Sequence, residues 1–130
     1  MSESRTRLAL DQFSAALTSL QQAMDADLDP LTKRDVVLLR FVFVFETCWK
    51  ALKHTLHQEG IEVRYPKQAI QQPYPIGWIE DEPVWLELLG FRNLVAHTYN
   101  EEMAVRVYQF VTGQTDVFGR VRKTLADRLS

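Results

Sequence analysis

Leu10, Phe13, Leu17, Leu20 and Met24 recur at steps of three and four residues. On a helix of 3.6 residues per turn this spacing makes one apolar stripe, and it predicts a helix over about residues 3–26. Asp29-Pro30 ends it, because a proline ring keeps the residue before it out of the helical region. A second pattern starts near Thr32: Val37, Phe41, Val44, Cys48, Leu52 and Leu56 repeat at helical spacing as far as Gly60, which suits a C-terminal cap. The run FVFVF inside it is rich in strand-forming residues, but it lies within an unbroken helical phase, which favours helix. Apolar residues surround this segment almost completely. It is therefore expected to be the central, most buried helix or part of a subunit interface.

Pro66, Pro73, Pro75 and Gly77 punctuate residues 60–82, leaving room for one short helix over Lys67–Gln72. A third main helix is expected from Asp81 or Pro83 to His97, with Pro83 in its first turn and Trp85, Leu88, Leu89 and Val95 mainly on one side. A last helix begins near Asn100 with Ala104, Val107, Tyr108 and Val111. Its phase resumes at Phe118, Val121, Leu125 and Leu129, so one long helix running through Gly113 is expected. No segment alternates as a strand would. The pattern predicts an all-α antiparallel four-helix bundle with a short extra helix in the 60–82 connection.

The 130 residues suit one domain spanning 1–130, and 46% hydrophobic residues suffice for a core in a soluble globular chain. A net charge of −2 argues against a general nucleic-acid coat, though not against a small basic pocket. The single cysteine, Cys48, rules out an intrachain disulfide and makes a reduced cytoplasmic setting the default. MSESRTRLAL has neither the apolar core nor the cleavage site of a signal peptide. The apolar run Val36–Phe45 is interrupted by Arg40 and falls short of the roughly 20 residues that span a bilayer.

The candidate chemistry lies in GFRNLVAHTYN, residues 90–100. Thr98 to Glu101 fits a capping box that would start the last helix, and His97 could bond carbonyls at a helix end. On that account Arg92 is a solvated or salt-bridged surface residue. The same residues also suit cleavage of RNA by its own 2′-hydroxyl. That reaction needs a proton acceptor, a proton donor and a cation for the charge on the phosphorane. Imidazoles titrate near neutral pH, and a guanidinium grips phosphate oxygens at two points. Asn93 lies one turn before His97 and could orient it or bind phosphate. On a straight helix, Arg92 and His97 are about 140° apart. They meet only where the helix ends, or across a two-fold axis, and a dimer would also supply a second histidine. His54 and His57 lie three apart, with no acidic or thiol partner to complete a metal site. Lys50 and Lys53 could line a basic cleft or simply be solvated.

FVFVFETCWKALKHTLHQEG (41–60) and EPVWLELLGFRNLVAHTYNEE (82–102) resemble the HEPN proteins of the HepT type, long called nucleotidyltransferase substrate-binding proteins. Arg92-x4-His97-x-Tyr99 matches the family's R-x4-H-x-Y motif without a gap, and Trp49-Lys50 and the Trp85 to Asn93 context agree. The likeness runs from about residue 5 to residue 125. It implies a HEPN bundle, usually a homodimer, with the motif in a cleft between protomers. It also implies a type VII toxin, a metal-independent endoribonuclease with no cofactor, in which Arg92 and His97 are catalytic. The implied partner is a minimal nucleotidyltransferase (MntA-like) antitoxin that transfers AMP from ATP to Tyr99. RNA is the expected substrate, and neither DNA nor a membrane is expected as a partner. The family's older label implies instead a non-catalytic subunit that presents substrate to the nucleotidyltransferase. A structural dimer whose motif only caps helices is the third possibility.

Overall fold

In a computed structural model, which describes residues 2–129, the chain forms six helices. They are α1 (Ser2–Asp25), α2 (Pro30–Gln58), α3 (Pro66–Gln71), α4 (Glu82–His97), α5 (Glu101–Thr112) and α6 (Thr115–Leu129). The helix over FVFVF is confirmed, and α2 is the centre of the bundle, since it packs against each of the other five helices. Cross-links along its length show the antiparallel pairing with α1. Lys33 Nζ donates to Met24 O, Arg40 Nη1 to Ser19 O at 2.7 Å, and Thr6 Oγ1 to His54 O. Arg40, the interruption in the apolar run, is thus tied to the backbone of α1.

Both ends of α2 are fixed by local chemistry. Asp29 Oδ1 accepts from Thr32 N at 3.0 Å, and Pro30 occupies the first turn. At the other end Gly60 has φ +83°. Its N–H donates to His57 O, and Ile61 N donates to Leu56 O. This paired bonding closes the helix around a residue in the left-handed region, as expected for Gly60.

Phe41, Phe45, Trp85 and Phe118 form an aromatic layer across α2, α4 and α6. Trp85 meets Phe118 edge-on at 5.2 Å, and Phe41 meets Phe45 at 6.4 Å. Trp78 and Ile79, in the irregular connection, are also buried in this core.

Two expectations fail. The last helix is not continuous: α5 stops at Thr112 and α6 begins at Thr115. Gly113 N donates to Phe110 O, Gln114 N to Val111 O and Val117 N to Gln114 O, all three-residue bonds that tighten the turn. Val111 and Phe118 are both fully buried on either side of the break. The apolar phase therefore survives a bend that the sequence pattern could not register. The capping box at Thr98 does not form either. Thr98 is the C-cap of α4, donating to Leu94 O, and Asn100 caps α5 by accepting from Met103 N at 2.8 Å. The Glu101 carboxylate that the box would use is bound to Arg34 instead.

Phe41 is fully buried and touches two of the other rings. We expect Phe41→Ala to cost about 3–5 kcal/mol of unfolding free energy by urea titration.

Candidate functional site

The motif lies at the C-terminal end of α4 and in the three extended residues that follow. Arg92 points at α2. Its Nη2 pairs with Glu46 Oε1, its Nη1 donates to Asn93 Oδ1 at 2.7 Å, and its guanidinium lies 5.8 Å from the Phe45 ring. Glu46 Oε2 in turn accepts from Trp49 Nε1 at 2.9 Å. One half-buried carboxylate therefore holds an indole and a guanidinium together. Burial works to raise the Glu46 carboxyl. The hydrogen bonds from Trp49 and Arg92 and the charges of Arg92 and Lys50 outweigh it and hold the carboxyl below its usual range.

Asn93 therefore sits against Arg92 and not against the imidazole. His97 is exposed in the last turn of α4. Among the described residues no hydrogen bond or ion pair joins it to Arg92, in keeping with their separation around the helix. Lys50 is exposed one turn beyond Glu46, and Lys53 Nζ lies 5.9 Å from the Trp49 ring, so a short positive edge continues along α2 from the Arg92 anchor.

Tyr99 is 62% exposed. It does not pack on Phe91, whose ring meets Phe110 at 5.0 Å. Its hydroxyl reaches α2, donating to Asp35 Oδ1 at 3.3 Å and accepting from Arg34 Nη2 at 3.2 Å. Arg34 also binds both oxygens of Glu101, with Nη2 to Oε2 at 3.2 Å. That hydrogen bond raises the Arg34 guanidinium above its ordinary value and lowers Glu101.

Asp35, Leu39, Phe43, Glu46 and Lys50 are spaced four, four, three and four residues apart, along one side of α2. The two α2 anchors of the motif, Asp35 for Tyr99 and Glu46 for Arg92, are thus about 16 Å apart along this side. Leu39 and Phe43 lie between them at 58% and 55% exposure. His54 and His57 lie elsewhere. His57 Nδ1 is 3.1 Å from Glu62, and burial, with the charges of Lys53 and Arg5, holds His54 below its ordinary value. Among the described residues no group of three His, Cys, Asp or Glu side chains could hold a metal ion.

Residues 8–127 match the family model for "Nucleotidyltransferase substrate binding protein like" proteins. The chain belongs to this family. It is a HEPN protein of the HepT type. A relative from Haemophilus influenzae, called a probable ribonuclease HepT, is 29% identical over 78% of this chain and 81% of its own length. A Thermus thermophilus protein of known structure superposes with a TM-score of 0.79 at 28% identity, covering 87% of this chain and 98% of that one. A tri-AMPylated Shewanella oneidensis HEPN toxin in complex with its MNT antitoxin shares the fold, with a TM-score of 0.70 at 17% identity. That match covers 94% of this chain and 96% of that one. The helical fold is that of the HepT family, and no helix among the described residues is long and apolar enough to cross a membrane.

Glu46, Arg34 and Asp35 escaped the sequence reading. A usable signal existed for Glu46, the one acidic residue between Asp35 and Glu59.

Because the folded Glu46 carboxyl lies below its ordinary value, its stabilising effect is full above the unfolded value and fades as pH falls through the folded one. We expect Glu46→Gln to lower stability by about 0.5–1 kcal/mol near pH 7. In thermal unfolding the difference from wild type should begin to narrow as pH falls through the ordinary carboxylate range and keep narrowing below it. A constant difference across pH 3–7 would show that the carboxylate charge does not hold Arg92.

Proposed function

We propose that this chain is a cytoplasmic toxin of a type VII toxin–antitoxin pair, a metal-independent endoribonuclease silenced by AMP transfer to Tyr99. The observation that carries the reading is the state of the three motif side chains. Arg92 is oriented by Glu46 and Asn93, His97 is exposed, and the hydroxyl of exposed Tyr99 is held at α2. The description of the Haemophilus relative as a probable ribonuclease supports it.

In the proposed reaction the RNA 2′-oxygen forms a bond to the adjacent phosphorus as the P–O5′ bond breaks. One imidazole takes the 2′ proton and another delivers a proton to the leaving 5′-oxygen. Arg92 carries the phosphorane charge through N–H groups not used by Glu46 and Asn93. One protomer has one histidine in the motif, so the acid–base pair requires a second copy. Leu39 and Phe43, exposed between the two anchors of the motif, supply a self-complementary apolar face for such a homodimer. The partner is a minimal nucleotidyltransferase. An adenylate on Tyr99 brings negative charge and bulk to a place that must admit RNA phosphate.

The family's description favours a second reading, a non-catalytic subunit presenting substrate to a nucleotidyltransferase. Total RNA incubated without divalent metal separates the two. We expect wild type to cleave and His97→Ala to be inactive yet folded. Arg92→Lys should lose most activity, since a point charge cannot grip phosphate at two points. Equal cleavage by His97→Ala and wild type removes His97 from the chemistry. Inert, folded, unmodified wild type supports the subunit reading.

For the dimer, Phe43→Asp should run as a folded monomer in light scattering at micromolar concentration and lose cleavage. A dimer that persists in this variant places the interface elsewhere. For the switch, Tyr99→Phe should keep cleavage and escape neutralisation by the catalytically competent partner. Intact mass after co-expression should show adenylate on wild type and none on Tyr99→Phe. Equal modification of the two would move the switch to another residue.

A further inference from the structure

A cleft of about 360 Å³ opens between the start of α2 and the outer face of α5, lined by Pro30, Leu31, Arg34, Val105, Tyr108 and Gln109. Its volume falls within the range of about 300–1,000 Å³ usual for small-molecule sites. Leu31 and Val105 are 57% and 41% exposed, so the cleft leaves apolar walls open to water. One wall is charged. Arg34 is only 7% exposed, and its buried Nε has no hydrogen-bond partner. A buried guanidinium N–H without an acceptor is costly to leave unsatisfied, and an anionic oxygen is the acceptor that suits it. The same guanidinium donates through Nη2 to the Tyr99 hydroxyl at 3.2 Å. Cleft, cation and hydroxyl are therefore in sequence, in the order in which a tyrosine-linked nucleotide presents its base, its phosphate and its point of attachment.

We propose that this cleft seats the adenosine of an adenylate carried on Tyr99, with Arg34 binding the phosphate between them. The proposal rests on Tyr99 being the residue modified. In the transfer, the Tyr99 oxygen forms a bond to the α-phosphorus of ATP held by the partner nucleotidyltransferase. The bond from that phosphorus to the β-bridging oxygen breaks, pyrophosphate leaves, and the phenolic proton passes to Asp35, its hydrogen-bond acceptor in the resting chain, which releases it to water and is again a carboxylate. The product has lost the O–H that held Tyr99 to Asp35 and gained an anionic diester beside Arg34. Repulsion from Asp35 and attraction to Arg34 both turn the diester toward the cleft. Leu31, Val105 and Tyr108 then cover the faces of the base, and the exposed Gln109 amide lies at the rim with donors and an acceptor for its edge.

The test uses full-length protein adenylated by its partner and ATP, then treated with a phosphodiesterase that removes adenylate, with the loss followed by intact mass. Val105→Trp fills the cleft while Arg34, Asp35 and Tyr99 all remain in the sequence. It should still be modified, and should lose its adenylate about tenfold faster than wild type. Equal rates of removal overturn the proposal. A measurement on wild type alone guards against a misfolded variant: hydrogen exchange across residues 105–109 should slow on modification, and unchanged exchange there also overturns it. Adenylate on Tyr99 over an unprotected cleft defeats this inference and leaves the reading of Tyr99 standing. Wild type with no adenylate on Tyr99 defeats both.

Discussion

A helix packed by five others keeps only a narrow side for water, and in α2 that side carries Leu39, Phe43 and Lys50. Its packed sides must be apolar, so each polar group that lies on them needs a partner that justifies its place. Arg40 binds a carbonyl of α1, and Thr55 Oγ1 binds its own helix at Ala51 O. Glu46 holds Arg92 and Trp49. Arg34 and Asp35 hold Tyr99, and Arg34 reaches Glu101 as well. The motif on α4 thus takes its geometry from three polar residues of α2, Glu46, Arg34 and Asp35. The motif's arginine and its tyrosine are separately anchored, and the apolar side of α2 between the anchors is left uncovered.

Periodicity carried the architecture because burial selects it. Every helix ended up within a few residues of its expected position, apart from the division of the last one. The two failures at helix ends have different causes. Gly113 interrupts α5 through short-range backbone bonds that leave the apolar phase unchanged, so the pattern of Val111 and Phe118 gave no warning. Thr98 to Glu101 has the letters of a capping box, but Glu101 has a partner 67 residues away in Arg34, and Asn100 has a side chain of the right length to cap in its place. Local rules assume that local groups are free, and here one was not.

The candidate site was legible in the same uneven way. Arg92, His97 and Tyr99 stand out because their spacing is contiguous and their chemistry is distinctive. The residues that orient them do not, because Glu46 and Arg92 are 46 positions apart and Asp35 and Tyr99 are 64 apart. Nothing in a linear pattern ties a carboxylate in the middle of one helix to a cation in another. The exposure of Tyr99 was equally hidden. The Phe91 ring lies against Phe110 and Arg106, and Tyr99 is left at the surface.

The separation of the motif's side chains sets what one chain can do by itself. Arg92 is turned inward and held, His97 is turned outward and free to meet a substrate, and Tyr99 lies beyond the end of the helix on a second tether. Such an arrangement has a cation fixed in place and a single imidazole, which is half of an acid–base pair. On the proposed reading the other half comes from a second copy, for which the uncovered Leu39 and Phe43 offer an apolar face. Tyr99 has the opposite character: its hydroxyl, its proton acceptor and its cation all come from one chain. Cleavage on this reading depends on assembly, whereas control at Tyr99 can act on each protomer separately. The two are joined through α2, since the helix that holds Arg92 for the reaction also holds the hydroxyl that would shut it off.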